Sequence, residues 1–346
     1  MKHYALGEQQ GLRSLCAGER PAPIAGPGEA LLRVRLVCLN HRDLLAVSGA
    51  YGAPRPAHRI PLSDGVGEVL SVGLGVQGLA AGDRVVCSHF VDWLSGDWSP
   101  AYLAQDLGIS RDGWLAERIV VPAAALVRLP ASLSDEQAVV LPAAGVTAWR
   151  ALVSLARIKA GDLVLTLGTG GVSLLVLQIA RLHGARVAIT SSSDDKLARM
   201  RELGADITVN YRRQPDWAAA LLAANGGAGA DIIVETGGAA TLAQSVAAAA
   251  PNARIALVGA LGGAARQDPA LWQTLLLKNL QLFGVTSGSR AMLAELVRAV
   301  AARPWPALIH RSFDFDQAAA AYACLKAAAH IGKIAIRINP GSPDPQ

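Results

Sequence analysis

The sequence predicts an α/β protein of two domains: a doubly wound parallel sheet of six strands and a small, irregular β-barrel. Three observations predict this class. A glycine turn, Gly168-Thr169-Gly170-Gly171-Val172-Ser173, lies between an apolar strand (Asp162 to Leu167) and a helix (Val172 to His183). Beyond it, apolar strands and helices alternate as far as Val285. The first ~130 residues instead read as short strands broken by glycines. At 346 residues the chain is longer than one core comfortably serves, which sets the expectation of two domains.

In the first domain Ala30 to Val37 alternates in polarity, and Gly65 to Val72, Asp83 to Ser88 and Trp114 to Val121 follow as strands. Gly65, Gly67, Gly73, Gly75, Gly78 and Gly82 mark the bends of a small barrel. Ser134-Asp135-Glu136-Gln137 has the form of a capping box and opens the helix that enters the second domain. The strands there are Asp162–Leu167, Ala185–Thr190, Ile207–Val209, Asp231–Glu235, Arg254–Val258 and Leu280–Val285. The helices between them are Val172–His183, Lys196–Leu203, Trp217–Asn225, Thr241–Ala249 and Leu271–Lys278. Gly184 and Gly204 end two of these helices. Near-continuous apolar strands with helical crossovers specify a parallel sheet. The tail contains a helix (Ala291–Ala301), a second helix (Asp316–Ala329) and a strand (Lys333–Ile338), and is assigned to the first domain. The expected boundaries are therefore 1–130 with 287–346 for the discontinuous first domain and 131–286 for the second, with Pro340 to Gln346 frayed.

Composition excludes several classes. With 52% hydrophobic and 17% charged residues the chain is globular rather than disordered. No uninterrupted apolar run of about 18 residues predicts a membrane span, and Met1-Lys2-His3-Tyr4 does not open a signal peptide. Cys16, Cys38, Cys87 and Cys324 have neither metal nor disulfide spacing, which fits a reducing cytoplasm. A net charge of +5 without a basic run argues against nucleic acid as a partner and suits an anionic cofactor.

The glycine turn has the context of a dinucleotide site. Gly168 allows the tight turn, Gly170 lets a pyrophosphate approach the backbone, and Ser173 is small enough for the third-glycine position. The amides from Thr169 through Gly171 and Val172 open the helix and face the phosphate. A ligand-free strand–turn–helix has the same local form; the continued alternation favours the nucleotide. An NAD site carries an acid about 20 residues further on. Here the second strand runs into Ile189-Thr190-Ser191-Ser192-Ser193, with Asp194 and Asp195 starting the next helix. Ser191, Ser192, Ser193 and Lys196, with Arg212 after Tyr211, can bind a 2′-phosphate, so NADP(H) is favoured over NAD(H). The serines can equally cap the helix, and Asp194 turned back onto the ribose would reverse the preference. Gly237 and Gly259 follow the fourth and fifth strands, at the sheet edge where the cofactor runs.

Leu39-Asn40-His41-Arg42-Asp43-Leu44, Ser63-Asp64-Gly65-Val66-Gly67-Glu68-Val69, Gly82-Asp83-Arg84-Val85, Ala143-Ala144-Gly145-Val146-Thr147-Ala148, the glycine turn and Gly332-Lys333 together carry a resemblance over nearly the whole chain. It resembles the medium-chain dehydrogenase/reductase superfamily, and within it the zinc-independent quinone oxidoreductase-like branch. The resemblance implies a Rossmann domain and a GroES-like catalytic domain. It matches the cysteine, histidine and neighbouring acid that hold catalytic zinc to Asn40, Asp64 and Gly65, and the alcohol proton relay to Arg42. One carboxylate and an amide cannot replace three protein ligands. No cysteine follows Cys87 before Gly113, so the structural zinc site is missing as well, and no metal is expected.

The resemblance further implies that Asn40 donates its amide N–H to a substrate carbonyl or to the nicotinamide carboxamide, and that Tyr51 supplies a second donor or the proton. Asp64 either forms a buried pair with Arg42 or takes part in catalysis. Thr147, Thr286, Ser287 and Lys333 are candidates for the nicotinamide end, and His41 is either a pyrophosphate contact or simply packed. Trp93, Trp98 and Trp114 form a lid or a local core, Asp106, Arg111 and Asp112 read as solvated loop charges, and Cys38 as a small core residue.

Without a Lewis acid, hydride transfer to a quinone or an α,β-unsaturated carbonyl is less demanding than reduction of a simple ketone, because charge moves to a distant oxygen. The expected function is thus zinc-independent, NADPH-dependent reduction of such an acceptor. Zinc-free alcohol or aldehyde dehydrogenation, and nucleotide binding with little turnover, are the alternatives. The apolar edge Leu280-Gln281-Leu282-Phe283-Gly284-Val285 needs covering, which predicts a symmetric homodimer.

Overall fold

The computed structural model describes residues 1–51, 58–259, 261 and 270–338; the tail expected to fray lies outside them. The chain forms two compact units, Met1–Val146 with Gly288–Gln346, and Thr147–Ser287. Along the first stretch lie β1 (Lys2–Leu6), β2 (Leu15–Glu19), β3 (Glu29–Cys38), α1 (His41–Val47), β4 (Asp64–Val72), β5 (Arg84–Cys87), β6 (Arg118–Pro122), β7 (Leu126–Arg128) and the helical turn α2 (Asp135–Ala138). After the short α3 (Val146–Trp149) the second unit contains β8 (Leu163–Leu167), α4 (Gly171–Leu182), β9 (Arg186–Ser191), α5 (Asp194–Glu202), β10 (Ile207–Asn210), α6 (Trp217–Ala224), β11 (Ala230–Glu235), α7 (Ala239–Ala248), β12 (Ala249–Leu257), α8 (Ala270–Leu277) and β13 (Gln281–Gly284). The return segment adds α9 (Arg290–Ala302), β14 (Ile309–Asp314), α10 (Ala318–Lys326) and β15 (Lys333–Arg337).

The second unit is a six-stranded sheet in the order β10-β9-β8-β11-β12-β13, every pair parallel. β8 is buried at all five positions, as a strand covered on both faces must be. The order reverses between β8 and β11, and the glycine turn leaves β8 at that switch point. The first unit pairs β1 with β2 and builds a mixed sheet in the order β14-β15-β3-β4-β5-β7, with β6 also on β3. β3 is its spine: Ala30, Leu32, Val34 and Leu36 face the core and alternate with Arg33 and Arg35.

Some expectations need correction. Residues 131–146 belong to the first unit, because Asp135 accepts from Arg35 Nε at 2.7 Å and Arg84 Nη1 at 2.8 Å, and Gln137 Nε2 donates to the Trp305 carbonyl at 2.7 Å. Ser287 falls in the second unit. The capping box is present, with Ser134 Oγ accepting from Gln137 N at 3.2 Å and Gln137 Oε1 from Ser134 N at 3.0 Å. β1, β2, β7, α1 and β14 have no counterpart among the sequence expectations, and Trp114 precedes β6 rather than starting it. Asp135–Leu155 is one helix long and apolar enough to cross a membrane, with mean hydropathy 1.6, yet 78% of that window is buried, which marks a core helix.

Candidate active site

In the first unit three strand ends bring the site together. β3 pairs with β4 so that Cys38 faces Asp64, and with β15 so that Cys38 faces Ala335. Two residues beyond that pair stand Asn40, the N-cap of α1, and Lys333, at the start of β15. Asn40 Nδ2 donates to Asp64 Oδ2 at 2.9 Å and reaches Ser63 Oγ at 3.4 Å. Lys333 Nζ donates to the Leu39 carbonyl at 2.7 Å and to Asn40 Oδ1, and lies 3.8 Å from Asp64 Oδ2. Ser63 and Asp64 are fully buried and Lys333 is 3% exposed. Asp64 Oδ1 has no protein donor.

Beneath them Asp43 accepts from Asn40 N at 2.6 Å and caps α1. Burial raises its carboxyl to about 7 against the lowering influence of Arg42 and the Asn40 N–H. Sequence reasoning passed over Asp43, although it stands in the same motif as Asn40.

Arg42 does not pair with Asp64. Its guanidinium meets Asp106 Oδ2 at 2.5 Å and His89 Nδ1 at 2.6 Å. Burial alone would raise the Asp106 carboxyl, but Arg42 and His89 hold it below its ordinary range. Burial, seconded by Arg42, lowers the His89 pKa and keeps the ring neutral. Asp106 is therefore an interior ion-pair partner, not a solvated loop charge. The other two loop charges are also partnered, Arg111 with Glu29 at 3.6 Å and Asp112 with Arg20 at 2.9 Å and Arg59 at 3.2 Å. Arg42 carries the half-buried Tyr51 ring 4.8 Å from its guanidinium carbon.

Trp93 and Trp114 are core residues rather than parts of a lid, both fully buried. Trp93 stacks on Tyr102 with centroids 5.7 Å apart and meets Trp98 edge-on at 5.1 Å. Trp114 lies flat against the backbone of β4: a Cβ on Gly65 would come within 2.3 Å of Trp114 Cε3. Cys38 is a buried core thiol, which burial pushes up to about 12.

In the second unit Gly168 adopts φ +77° and its N–H donates to the Thr190 carbonyl at 2.8 Å. Among the described residues, and apart from the adjoining residues of the turn, no atom lies within 4 Å of where a Cβ on Gly168 or Gly170 would be, which suits a ligand at the start of α4. Thr169 is buried, Gly171 and Val172 begin α4, and Ser173 fills the third-glycine position with its Oγ on the Leu167 carbonyl at 2.8 Å. These features fit a pyrophosphate.

Ser191 ends β9, and Tyr211 N donates to its carbonyl at 3.1 Å, which sets the exposed Tyr211 and Arg212 beside the serine run. Ser193 caps α5 by accepting from Lys196 N at 3.4 Å, leaving Ser192 and the Lys196 side chain beside that corner. Asp194 accepts from Asn210 Nδ2 at 2.7 Å and pairs with Arg213. The fully buried Glu235, unremarked in the sequence reading, accepts from Gly237 N at 2.7 Å, Gly238 N at 3.0 Å and Thr241 Oγ1 at 2.6 Å, and so shapes the turn after β11. Its clue was an acid directly ending an apolar strand. Gly259 follows β12, where a Cβ would meet the Thr236 carbonyl at 2.6 Å. Thr147 is buried, Arg150 binds the carbonyl of the buried Ser287 at 3.2 Å, and Thr286 and, in the first unit, His41 are exposed.

A family model described as alcohol dehydrogenase GroES-like domain matches residues 26–131, and one described as zinc-binding dehydrogenase matches residues 171–302. The chain is 38% identical over 317 residues to a zinc-type alcohol dehydrogenase-like protein of Schizosaccharomyces pombe, covering 90% of this chain and 92% of the relative. It is 27% identical to an acryloyl-coenzyme A reductase of Metallosphaera sedula, over 90% of this chain and 93% of the relative. A crystal structure of an NAD-dependent alcohol dehydrogenase superposes with a TM-score of 0.88 at 33% identity, covering 98% of this chain and all of that one. The name zinc-binding dehydrogenase implies a metal, and the residues present do not fit one. Position 64 offers a lone carboxylate, position 40 an amide committed to Asp64 and Lys333, and position 65 has no room for any side chain beneath Trp114. Among the described residues no cluster of three His, Cys, Asp or Glu can hold a metal ion.

Proposed function

The chain belongs to the medium-chain dehydrogenase/reductase superfamily, and on that premise we propose that it is a zinc-independent, NADPH-dependent reductase of a quinone or an α,β-unsaturated carbonyl. The observation that carries this reading is the pairing of Asn40 and Asp64 with Lys333 at the positions of the missing metal ligands. The reduced nicotinamide, when bound, supplies the hydride. The glycine turn would hold the pyrophosphate, and Ser192, Lys196 and Arg212 the 2′-phosphate. In the first unit the second Asn40 N–H, held only at 3.4 Å by Ser63, is the one that can donate to the substrate oxygen as it gains charge. Tyr51 delivers the proton, its ring resting on the Arg42 cation. A relative named for reduction of an acryloyl thioester, itself an α,β-unsaturated carbonyl compound, supports an enone-type acceptor. A solved structure named for NAD and alcohol supports alcohol dehydrogenation, here without a zinc ligand set among the described residues, as the second reading.

We place the enzyme in the cytoplasm as a homodimer joined through β13, the outer strand of the six-stranded sheet; on α8, the helix before it in the chain, Trp272, Leu276 and Leu277 are 65–80% exposed. The test is turnover by EDTA-dialysed protein with NADPH and, separately, NADH, against a small quinone, an enone and an aldehyde. NADPH consumption with quinone or enone, indifferent to added zinc, is the expected result. Turnover of the aldehyde alone, or only after zinc is restored, would overturn the reading.

A further inference from the structure

We propose that the Lys333 ammonium is the built-in cation of this site, standing between the two positions where a metal's ligands would be, and that it acts as a positioning residue for Asn40. The inference rests on reading Asn40 and Asp64 as those positions. A buried lysine must be paired, and Lys333 is 3% exposed beside a fully buried Asp64. An ammonium carries three hydrogens and no acceptor. Three acceptors surround it: the Leu39 carbonyl at 2.7 Å, Asn40 Oδ1, and Asp64 Oδ2 at 3.8 Å. A divalent ion entering the same space would meet a fixed like charge and a single carboxylate.

The second consequence concerns the Asn40 amide. Lys333 holds its oxygen and Asp64 holds its nitrogen, at 2.9 Å. Turning the amide over would set carbonyl against carboxylate and NH₂ against ammonium, so the amide has one orientation only. That orientation leaves the second N–H, held only by the long 3.4 Å contact to Ser63 Oγ, as the donor for the substrate. Lys333 thus governs a group that touches substrate without touching substrate itself.

The pair makes a four-way comparison in the full-length protein: wild type, Lys333→Met, Asp64→Asn and the double variant. The measurements are thermal unfolding, NADPH affinity by fluorescence, and kcat and KM with an enone. Each single variant strands one buried charge and is expected to lower the Tm, while the double variant regains most of the loss. Activity is expected to behave differently. With the amide no longer gripped from both ends, kcat falls about tenfold or more in Lys333→Met and stays low in the double variant, while NADPH affinity changes less than about twofold. A merely structural lysine would return activity together with stability.

Wild-type kcat in Lys333→Met, or a double variant no more stable than the weaker single, would overturn the proposal. So would stoichiometric zinc retained by the wild type after desalting and released by Asp64→Asn. Should Lys333→Met fail to fold, Lys333→Ala supplemented with propylammonium is expected to recover its Tm where propanol does not, and equal failure of both additives would also overturn it. A wild type that turns over no quinone or enone would sink the functional reading alone, because the stability comparison and the zinc content still decide the cation.

Discussion

Arg42 and Asp106 meet at 2.5 Å with side chains 11% and 1% exposed, so that a residue from the Asn40 motif is anchored in the interior of a loop sixty-four positions away. Breaking such a pair from one side leaves an uncompensated buried charge. Asp106→Asn is therefore expected to cost about 3–5 kcal/mol, measured by urea unfolding. Because Arg42 carries the Tyr51 ring, the same variant should lower kcat more than it changes NADPH affinity.

Gly65 is held to glycine by Trp114 rather than by its backbone angles. A Cβ there would lie 2.3 Å from Trp114 Cε3 and 2.4 Å from Cδ2, and a fully buried indole has nowhere to move. Gly65→Ala should destabilise by about 1–3 kcal/mol or more, the usual range for overpacking, with a change in tryptophan emission. A wild-type melting curve would show that the indole can yield.

Asp43 gives the protein a pH dependence of defined sign. Burial raises its carboxyl from 3.8 in the unfolded chain to about 7 in the folded protein. Its contribution to stability is complete below pH 4, where both states are protonated, and is lost as pH rises from about 4 through about 7. Asp43→Asn, which keeps an oxygen for the Asn40 N–H, should abolish that loss. The difference in Tm between variant and wild type is expected to move in the variant's favour across this window, and a constant difference would contradict the assignment.

Cofactor choice is open to a simple comparison. Arg212→Ala and Lys196→Ala should each weaken NADPH by about tenfold, the worth of a hydrogen bond to a charged group, and leave NADH unchanged. Equal losses for both cofactors, read by fluorescence titration, would remove the 2′-phosphate from this corner.

At the β13 edge, Leu282 is 37% exposed. Leu282→Lys sets like charges against each other across a symmetric edge and should give a monomer in sedimentation analysis.

The second unit was legible because its signals are local. Apolar runs such as Leu163–Leu167, the turn from Gly168 to Ser173 and the stop at Gly184 each declare themselves within a few residues. The capping box at Ser134 and Gln137 was local as well, but the unit it belongs to was decided by Arg35, Arg84 and Trp305, far away in sequence. The candidate site suffered most from this distance. Asn40 and Asp64 stand out through their motifs, but their partner Lys333 lies 293 positions from Asn40, and no local pattern announces that the three will meet. Asp106 looked like an ordinary loop charge because nothing beside it in the chain announces that Arg42 and His89 will cover it.

The strand that delivers Lys333 also sets an order of events during synthesis. β3 and β4 leave the ribosome early, and Asp64, which is buried in the finished fold, leaves with them, while β15 follows only after all of β8 to β13 has been made. Until then Asp64 is without its ammonium. The amino-terminal segment thus has reason to stay loose until the chain closes on it, and a fragment ending at Val146 should not reach the native state by itself.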